Sequence, residues 1–272
     1  MDFSVVDRKL SALERCLTET VPVSADERLR VGVDLGTAYI VVVVLNDAGD
    51  PVACAMEFAR VVKDGLVVDY IGATRIVRRL VDDLGRRLGR TLTRAAIAVP
   101  PLTGGKDCKT HRYVVEGAGL EVTGTLDEPT AANAVLGLEN GVVVDIGGGT
   151  TGLSVLEAGE VVYVADEATG GTHVSLVLAG NYDLTLNEAE EFKMDRSRQA
   201  EVLSVVRPVI QKMASIVARH IDGRNVSSIC LVGGTCCLEG LEGVMEKELG
   251  LPVFKPANPF LVTPMGIALN CA

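Results

Sequence analysis

Asp145-Ile146-Gly147-Gly148-Gly149-Thr150 sets a carboxylate, three consecutive glycines and a hydroxyl directly after the apolar run Gly141-Val142-Val143-Val144. A buried strand ending in such a turn can grasp a phosphate. Its glycines let backbone amides approach an anion closely and take φ > 0. The carboxylate can hold a hydrated Mg²⁺, and the threonine hydroxyl can donate to a phosphate oxygen. A second copy of the pattern, Asp34-Leu35-Gly36-Thr37, follows Leu29-Arg30-Val31-Gly32-Val33 in the first half of the chain. One such turn can be a strand turn that binds nothing. Two facing each other across a cleft would clamp a nucleoside triphosphate.

Periodicity supplies the elements that would hold these turns. Val31 to Val33, Ile40 to Leu45 and Val52 to Met56 read as three strands, with Asp47 to Gly49 turning between the last two. A helix rich in Ile, Val, Leu and Arg follows from Ile71 to Leu88, then a buried strand from Ala95 to Val99 that Pro100 and Pro101 stop. Next come a helix from Cys108 to Ala118 and a short strand from Leu120 to Thr125. Glu128-Pro129-Thr130-Ala131-Ala132 opens another helix, with proline where its missing N–H costs nothing. From Val142 the strand, turn and hairpin are laid down again, Gly152 to Glu157 pairing with Val161 to Asp166 ahead of Gly170-Gly171. Strand, turn, strand, strand, helix therefore occurs twice, an internal structural duplication within an α/β protein.

Helices take over from His173 to Asp222. The strand Ile229-Cys230-Leu231-Val232 then meets the glycine turn Gly233-Gly234-Thr235. A helix from Leu241 to Leu249, a strand at Val253-Phe254 and a last helix from Pro264 complete the chain. Near the start, Val6, Leu10, Leu13 and Leu17 form a helical stripe that either docks on its own body or receives a partner.

A chain of 272 residues is long enough for two lobes with separate cores. The boundaries read as an N-terminal helical extension over 1–28, lobes over 29–141 and 142–255, and a C-terminal hinge helix within 256–272 that returns toward the first lobe. A net charge of −10 argues against a nucleic-acid partner. The cluster of Arg75, Arg78, Arg79, Arg86, Arg87 and Arg90 alternates with Asp82 and Asp83, which reads as a solvated helix face. No apolar run reaches the ~18 residues of a membrane span, and no basic segment precedes an apolar core at the start. The expectation is a cytoplasmic protein without a membrane partner. Seven cysteines without a C-x-x-C pair read as reduced and mostly buried thiols. None of the three histidines stands at ligand spacing from a cysteine, so no zinc site is expected.

Five elements stand in one order: Asp34 to Thr37, Glu128 to Ala132, Asp145 to Thr150, Leu231-Val232-Gly233-Gly234-Thr235 and Pro264-Met265-Gly266-Ile267-Ala268-Leu269. They resemble the phosphate-1, connect-1, phosphate-2, adenosine and connect-2 motifs of the actin–Hsp70–sugar kinase superfamily, over about residues 29–271. Glu128 to Ala132 with Asp145 to Thr150 is most similar to the Hsp70 and bacterial actin-like branch. Lys63 to Tyr70 and Ala189 to Lys193 also resemble segments of the bacterial shape-determining actin homologues. The chain is short for an Hsp70, and a peptide-clamping β domain is not expected of it. Its compact form resembles a chaperone-like family encoded with ethanolamine-utilisation microcompartments.

The resemblance implies an actin-like ATPase fold: duplicated ribonuclease H-like lobes with ATP or ADP and Mg²⁺ in the cleft between them. Asp34 and Asp145 would hold the metal through water. Gly36, Thr37, Gly147, Gly148, Gly149 and Thr150 would cradle the phosphates, and Gly170 and Gly171 belong to the same binding set. Glu128 would orient the attacking water, because phosphoryl transfer needs chiefly positioning and electrostatic stabilisation. A glutamate is equally at home at a helix start, near the positive end of the dipole. Gly233, Gly234 and Thr235 would let adenosine lie against the backbone. Glu190 and Lys193 are similar to the pair that reaches ribose and adenine, and they also read as an i, i+3 surface ion pair.

Two departures from the Hsp70 pattern stand out. Cys237 occupies the place of an arginine that covers the adenine, and no early lysine matches the phosphate-contacting one, Lys63 being the nearest. Three functions follow as alternatives. A slow Mg-ATPase of chaperone type would regulate a client, implied by the resemblance to be ethanolamine ammonia-lyase or another microcompartment component. The same fold could polymerise as an actin-like scaffold, or bind nucleotide as a pseudo-ATPase interaction module. A monomer or weak homo-oligomer is expected of the first.

Overall fold

The computed structural model describes residues 2–101 and 105–272, and side chains outside 105–108. Of the seven cysteines, Cys108 therefore lies outside the described side chains. In chain order the elements are α1 (Ser4–Arg15), β1 (Arg30–Leu35), β2 (Tyr39–Leu45), β3 (Pro51–Phe58), β4 (Val62–Lys63), β5 (Leu66–Val67), α2 (Tyr70–Leu88), β6 (Arg94–Val99), α3 (Gly105–Gly117), β7 (Glu121–Asp127) and α4 (Glu128–Leu136). The second run is β8 (Gly141–Ile146), β9 (Thr151–Glu157), β10 (Glu160–Glu167), α5 (Gly171–Tyr182), α6 (Leu186–Met194), α7 (Gln199–Ile221), β11 (Ile229–Val232), α8 (Leu241–Leu249), β12 (Val253–Phe254) and α9 (Val262–Leu269). Two compact units result, Met1–Gly137 with Leu261–Ala272, and Leu138–Phe260.

The units repeat one topology. Their sheets run β3-β2-β1-β6-β7 and β10-β9-β8-β11-β12. In each, three strands form an antiparallel meander, and the central strand pairs in parallel with the next one along the sheet. This is the duplicated ribonuclease H-like arrangement of the actin-like fold, and it places both Asp-x-Gly turns at the end of a central strand. The β4–β5 hairpin is the one element that periodicity did not suggest. Two-residue strands carry no periodic signal.

In the first unit, Val33, Ile40, Val42 and Val44 of the sheet pack with Ala73, Val77 and Leu84 of α2 and Val114 of α3. A sheet covered on both faces reads as continuous apolar runs, as β2 does. A further cluster, Ala96, Ala98, Ala131 and Ile267, is built from small residues where α4 and α9 pack with the sheet. Here the backbones come close. A Cβ on Gly266 would lie 1.8 Å from the Ala131 carbonyl oxygen.

The N-terminal stripe docks on its own unit. Leu10 and Leu13 are fully buried, and the Cys54 and Val21 amides donate to the carbonyls of Cys16 and Val52 at 3.0 and 2.9 Å. Arg87 then departs from the solvated-face reading. Its guanidinium donates to the carbonyls of Cys16, Glu19 and Cys54 at 2.7, 2.6 and 2.9 Å, tying α2 to this segment. Burial pushes the Cys54 thiol up to about 12.

The second core joins Val142, Val144, Ile146, Leu153 and Val155 to Val202, Val206, Ile210, Met213 and Val217 of α7. Among the described residues, no helix is long and apolar enough to cross a membrane.

Candidate functional site

The turn after β8 is pinned by its carbonyls. The Gly147 amide donates to the Thr150 carbonyl at 3.0 Å and closes the turn. At the start of α5, the Gly171 and Thr172 amides donate to the carbonyls of Gly147 and Gly148 at 2.9 and 2.8 Å. Thr235 Oγ1 donates to the same Gly147 carbonyl at 2.7 Å. Among the described residues, no backbone hydrogen bond takes up the amides of Gly148 and Gly149. A turn whose Gly147, Gly148 and Thr150 carbonyls accept hydrogen bonds, while its Gly148 and Gly149 amides make no backbone one, has the polarity an anion needs.

Two further glycines make this closeness possible. A Cβ on Gly170 would lie 2.8 Å from the carbonyl oxygens of both Gly147 and Gly148. Gly233, at φ +92°, would bring a Cβ to 2.3 Å from Asp145 Oδ1. Asp145 itself is buried at the end of β8, opposite Gly152 on one side and Val232 on the other.

Glu190 and Lys193 lie on α6 and pair at 2.7 Å with side chains only 17% and 18% exposed. Ser175, one turn into α5, joins them to the phosphate turn. Its hydroxyl donates to Glu190 Oε1 at 2.5 Å, Lys193 Nζ donates to its oxygen at 2.9 Å, and Nζ also reaches the Gly171 carbonyl at 3.5 Å. Gln199, buried at the start of α7, secures the end of α6 by donating to the carbonyls of Lys193 and Asp195. The second unit thus brings Asp145, Gly147 to Thr150, Gly170, Gly171, Glu190, Lys193 and Gly233 to Thr235 into one connected neighbourhood. Ser175 and Gln199 carry no local motif and were not suggested by the sequence.

Cys236 and Cys237 sit in a short 3₁₀ turn, Gly234–Cys237, that follows β11. Cys236 is buried, and burial, followed by the nearby Asp145 carboxylate, pushes its thiol up. Cys237 faces outward.

Asp166 is the functional-looking residue that sequence reasoning passed over. Gly152 is opposite Asp145 across β8–β9 and opposite Asp166 across β9–β10. Directly opposed residues share a face, so the two carboxylates flank a glycine in one row. Burial pushes the Asp166 carboxyl up to about 6, against a lowering hydrogen bond from the Thr150 side chain. The folded state therefore holds a proton that the unfolded chain releases at lower pH. Stability is expected to fall as pH rises from the ordinary carboxylate range through about 6. Asp166→Asn should flatten that slope in urea melts taken across this window, and an unchanged slope would assign it to another group.

The first unit holds the other predicted residues. Asp34 lies near the end of β1, opposite Val41, and Gly36 and Thr37 occupy the turn into β2. Glu128 is the first residue of α4. That helix starts there because Asp127 caps it, its Oδ1 accepting from the Thr130 amide at 2.9 Å and its Oδ2 from the Thr130 hydroxyl at 2.7 Å. Lys63 is exposed at the tip of the β4–β5 hairpin, next to Asp64 at φ 49°.

A family model described as Type IV pilus assembly protein PilM matches residues 128–268, and one described as MreB/Mbl protein matches residues 52–191. The ethanolamine utilization protein EutJ of Salmonella typhimurium strain LT2 is 46% identical over 253 residues, covering 93% of this chain and 89% of that protein. The crystal structure of EutJ from Carboxydothermus hydrogenoformans superimposes with a TM-score of 0.92 at 49% identity, covering 97% of this chain and 98% of that one. MreB5 of Spiroplasma citri, in a structure bound to AMPPNP, shares the fold alone, with a TM-score of 0.72 at 15% identity over 89% of this chain and 95% of that one. The chain belongs to the EutJ family of ethanolamine utilization proteins, within the actin/Hsp70-like ATPase superfamily.

Proposed function

We propose that this protein binds ATP and ADP with Mg²⁺, hydrolyses ATP slowly, and uses the nucleotide state to alter its affinity for a client in ethanolamine utilisation. The observation that carries the reading is the turn from Gly147 to Thr150. Its Gly147 and Gly148 carbonyls are taken by Gly171, Thr172 and Thr235, and among the described residues the amides of Gly148 and Gly149 make no backbone hydrogen bond. The donor set suits the proposed metal as well. Asp145 and Asp34 offer hard oxygen ligands, which a hydrated Mg²⁺ accepts through its water shell. When bound, the ion would neutralise charge developing on the phosphates.

The roles follow from these positions. In the second unit Gly148, Gly149 and the Thr150 hydroxyl would hold phosphate and metal water, and in the first Asp34, Gly36 and Thr37 carry the same kind of turn. Gly233, Gly234 and Thr235 would face adenosine, and the Glu190–Lys193 pair would order the sugar end. MreB5 described with AMPPNP is a fold relative that supports nucleotide as the ligand class. The EutJ relatives support a client among the proteins of ethanolamine utilisation, such as ethanolamine ammonia-lyase or a microcompartment component.

Glu128 is the residue proposed to orient water. Glu128→Gln is expected to slow steady-state phosphate release from Mg-ATP by about a hundredfold while leaving ATP affinity nearly unchanged. A large loss of binding would instead make Glu128 a helix-start residue without a catalytic part. The MreB/Mbl match favours one second reading, polymerisation as a scaffold. Sedimentation of the purified protein over a concentration series with ATP separates the two, since only a scaffold pellets.

A further inference from the structure

Ser175 is fully buried one turn into α5, and a buried hydroxyl is costly unless it is hydrogen-bonded. Its partners come from another helix. The hydroxyl donates to Glu190 Oε1 at 2.5 Å, and its oxygen accepts from Lys193 Nζ at 2.9 Å. Lys193 Nζ closes the ring on Glu190 Oε2 at 2.7 Å. The Gly171 carbonyl, 3.1 Å from the same hydroxyl, would have satisfied the serine within its own helix. A single proton with two acceptors in reach goes to the charged and nearer one, so the serine is committed to the pair. Gly171 also marks where three segments converge. A Cβ there would lie 2.5 Å from Thr235 Oγ1, 3.5 Å from Lys193 Nζ and 3.6 Å from the Gly147 carbonyl oxygen. The ammonium is thus held close to both glycine turns of the second unit.

We infer that Ser175 is a positioning residue that makes this site selective for nucleotides with intact ribose hydroxyls. This rests on the nucleotide reading above and deepens it. An i, i+3 ion pair on an open helix face is weak, and its long side chains swing. Here a third group on a second helix fixes both charges, at 17% and 18% exposure. The ring is not saturated. A carboxylate offers about four lone-pair sites, and Ser175 and Lys193 each take one, on different oxygens. Of the ammonium's donors, one reaches only the Gly171 carbonyl, at 3.5 Å. A free carboxylate lone pair beside a loosely held N–H matches a hydroxyl, which donates and accepts at once. Phosphate oxygens only accept, and Glu190 would repel them. A site built to hydrogen-bond a hydroxyl rejects the analogue that lacks it, provided its own groups are held in place.

The discriminating measurement compares ADP with 2′,3′-dideoxy-ADP. Each would be titrated by calorimetry, with Mg²⁺ present, into the wild type, Ser175→Ala, Lys193→Met and the double variant, with thermal melts of each. The wild type should prefer ADP by about thirtyfold. Ser175→Ala should weaken ADP about tenfold and leave the dideoxy analogue within about twofold, so that most of the preference is lost. Lys193→Met should do the same, and the double variant should be no worse than the poorer single one, because the serine acts through the pair. Ser175→Cys, whose thiol is a weak donor, takes the place of the alanine variant if that one does not fold. Equal losses for the two ligands would make Ser175 a packing residue, and additive losses in the double variant would separate it from Lys193; either overturns the inference. Nucleotide binding with an unchanged ADP preference in the Ser175 variants, or with no preference in the wild type, would overturn this inference alone. No binding of either ligand by the folded wild type would overturn the proposed function and this inference with it.

Discussion

Asp145→Asn is expected to lower phosphate release from Mg-ATP by about a hundredfold or more. The side chain is 6% exposed at the end of a central strand, opposite Gly152 and Val232, with Gly233 pressed against its Oδ1. Asparagine has nearly the same shape, so the packing survives and the negative charge that would hold the water shell of Mg²⁺ does not. Removing charge without removing volume isolates the electrostatic part of the role. Affinity for ADP in EDTA should therefore stay close to that of the wild type, while the Mg²⁺-dependent increment disappears. Wild-type turnover in this variant would take Asp145 out of the mechanism. An absence of turnover in both proteins, with nucleotide still bound, would favour a nucleotide-stapled interaction module, and the catalytic parts given to Asp145 and Glu128 would fall.

Gly266→Ala should be the most damaging single methyl in the first unit. The added carbon would stand 1.8 Å from the Ala131 carbonyl oxygen and 2.5 Å from its carbon. Both are backbone atoms, so no rotamer change relieves the clash. The helices would have to separate, opening the small-residue cluster of Ala96, Ala98, Ala131 and Ile267. Overpacking of this kind costs about 3 kcal/mol, and thermal melting should show a fall of roughly 6 to 12 °C for a chain of this size. Gly243→Ala is the matched control. Gly243 lies inside α8 with nothing within 4 Å of its Cβ position, so the change should be neutral or slightly stabilising. Equal melting temperatures for the two variants would mean that α4 and α9 do not pack as described.

Much of the candidate site was legible because its parts are local. Asp-x-Gly-Gly-Gly-Thr is a turn whatever surrounds it, and Pro129 after Glu128 marks a helix start from three adjacent residues. The connect-2 glycine was visible as a motif residue, although its purpose, passing the Ala131 backbone, was not. Arg87 was read as one of a charged helix face because helical spacing says nothing about a segment docking from far upstream. The same limit applied to the Glu190–Lys193 pair, whose i, i+3 spacing suits a solvated helix as well as the mostly buried cluster with Ser175.

The sequence by itself determined the duplicated lobes, the two phosphate-type turns and the superfamily, because strand periodicity and glycine turns are set by neighbours in the chain. Tertiary structure alone decided which distant segments meet, as where the Arg87 guanidinium donates to the carbonyls of Cys16, Glu19 and Cys54. Asp145 and Asp166 likewise share one row with Gly152 through the register of three strands, and a slip of one residue in either pairing would turn one of them to the opposite face. Register is fixed by the packing of both sheet faces against their helices, a long-range condition that no short window of sequence contains.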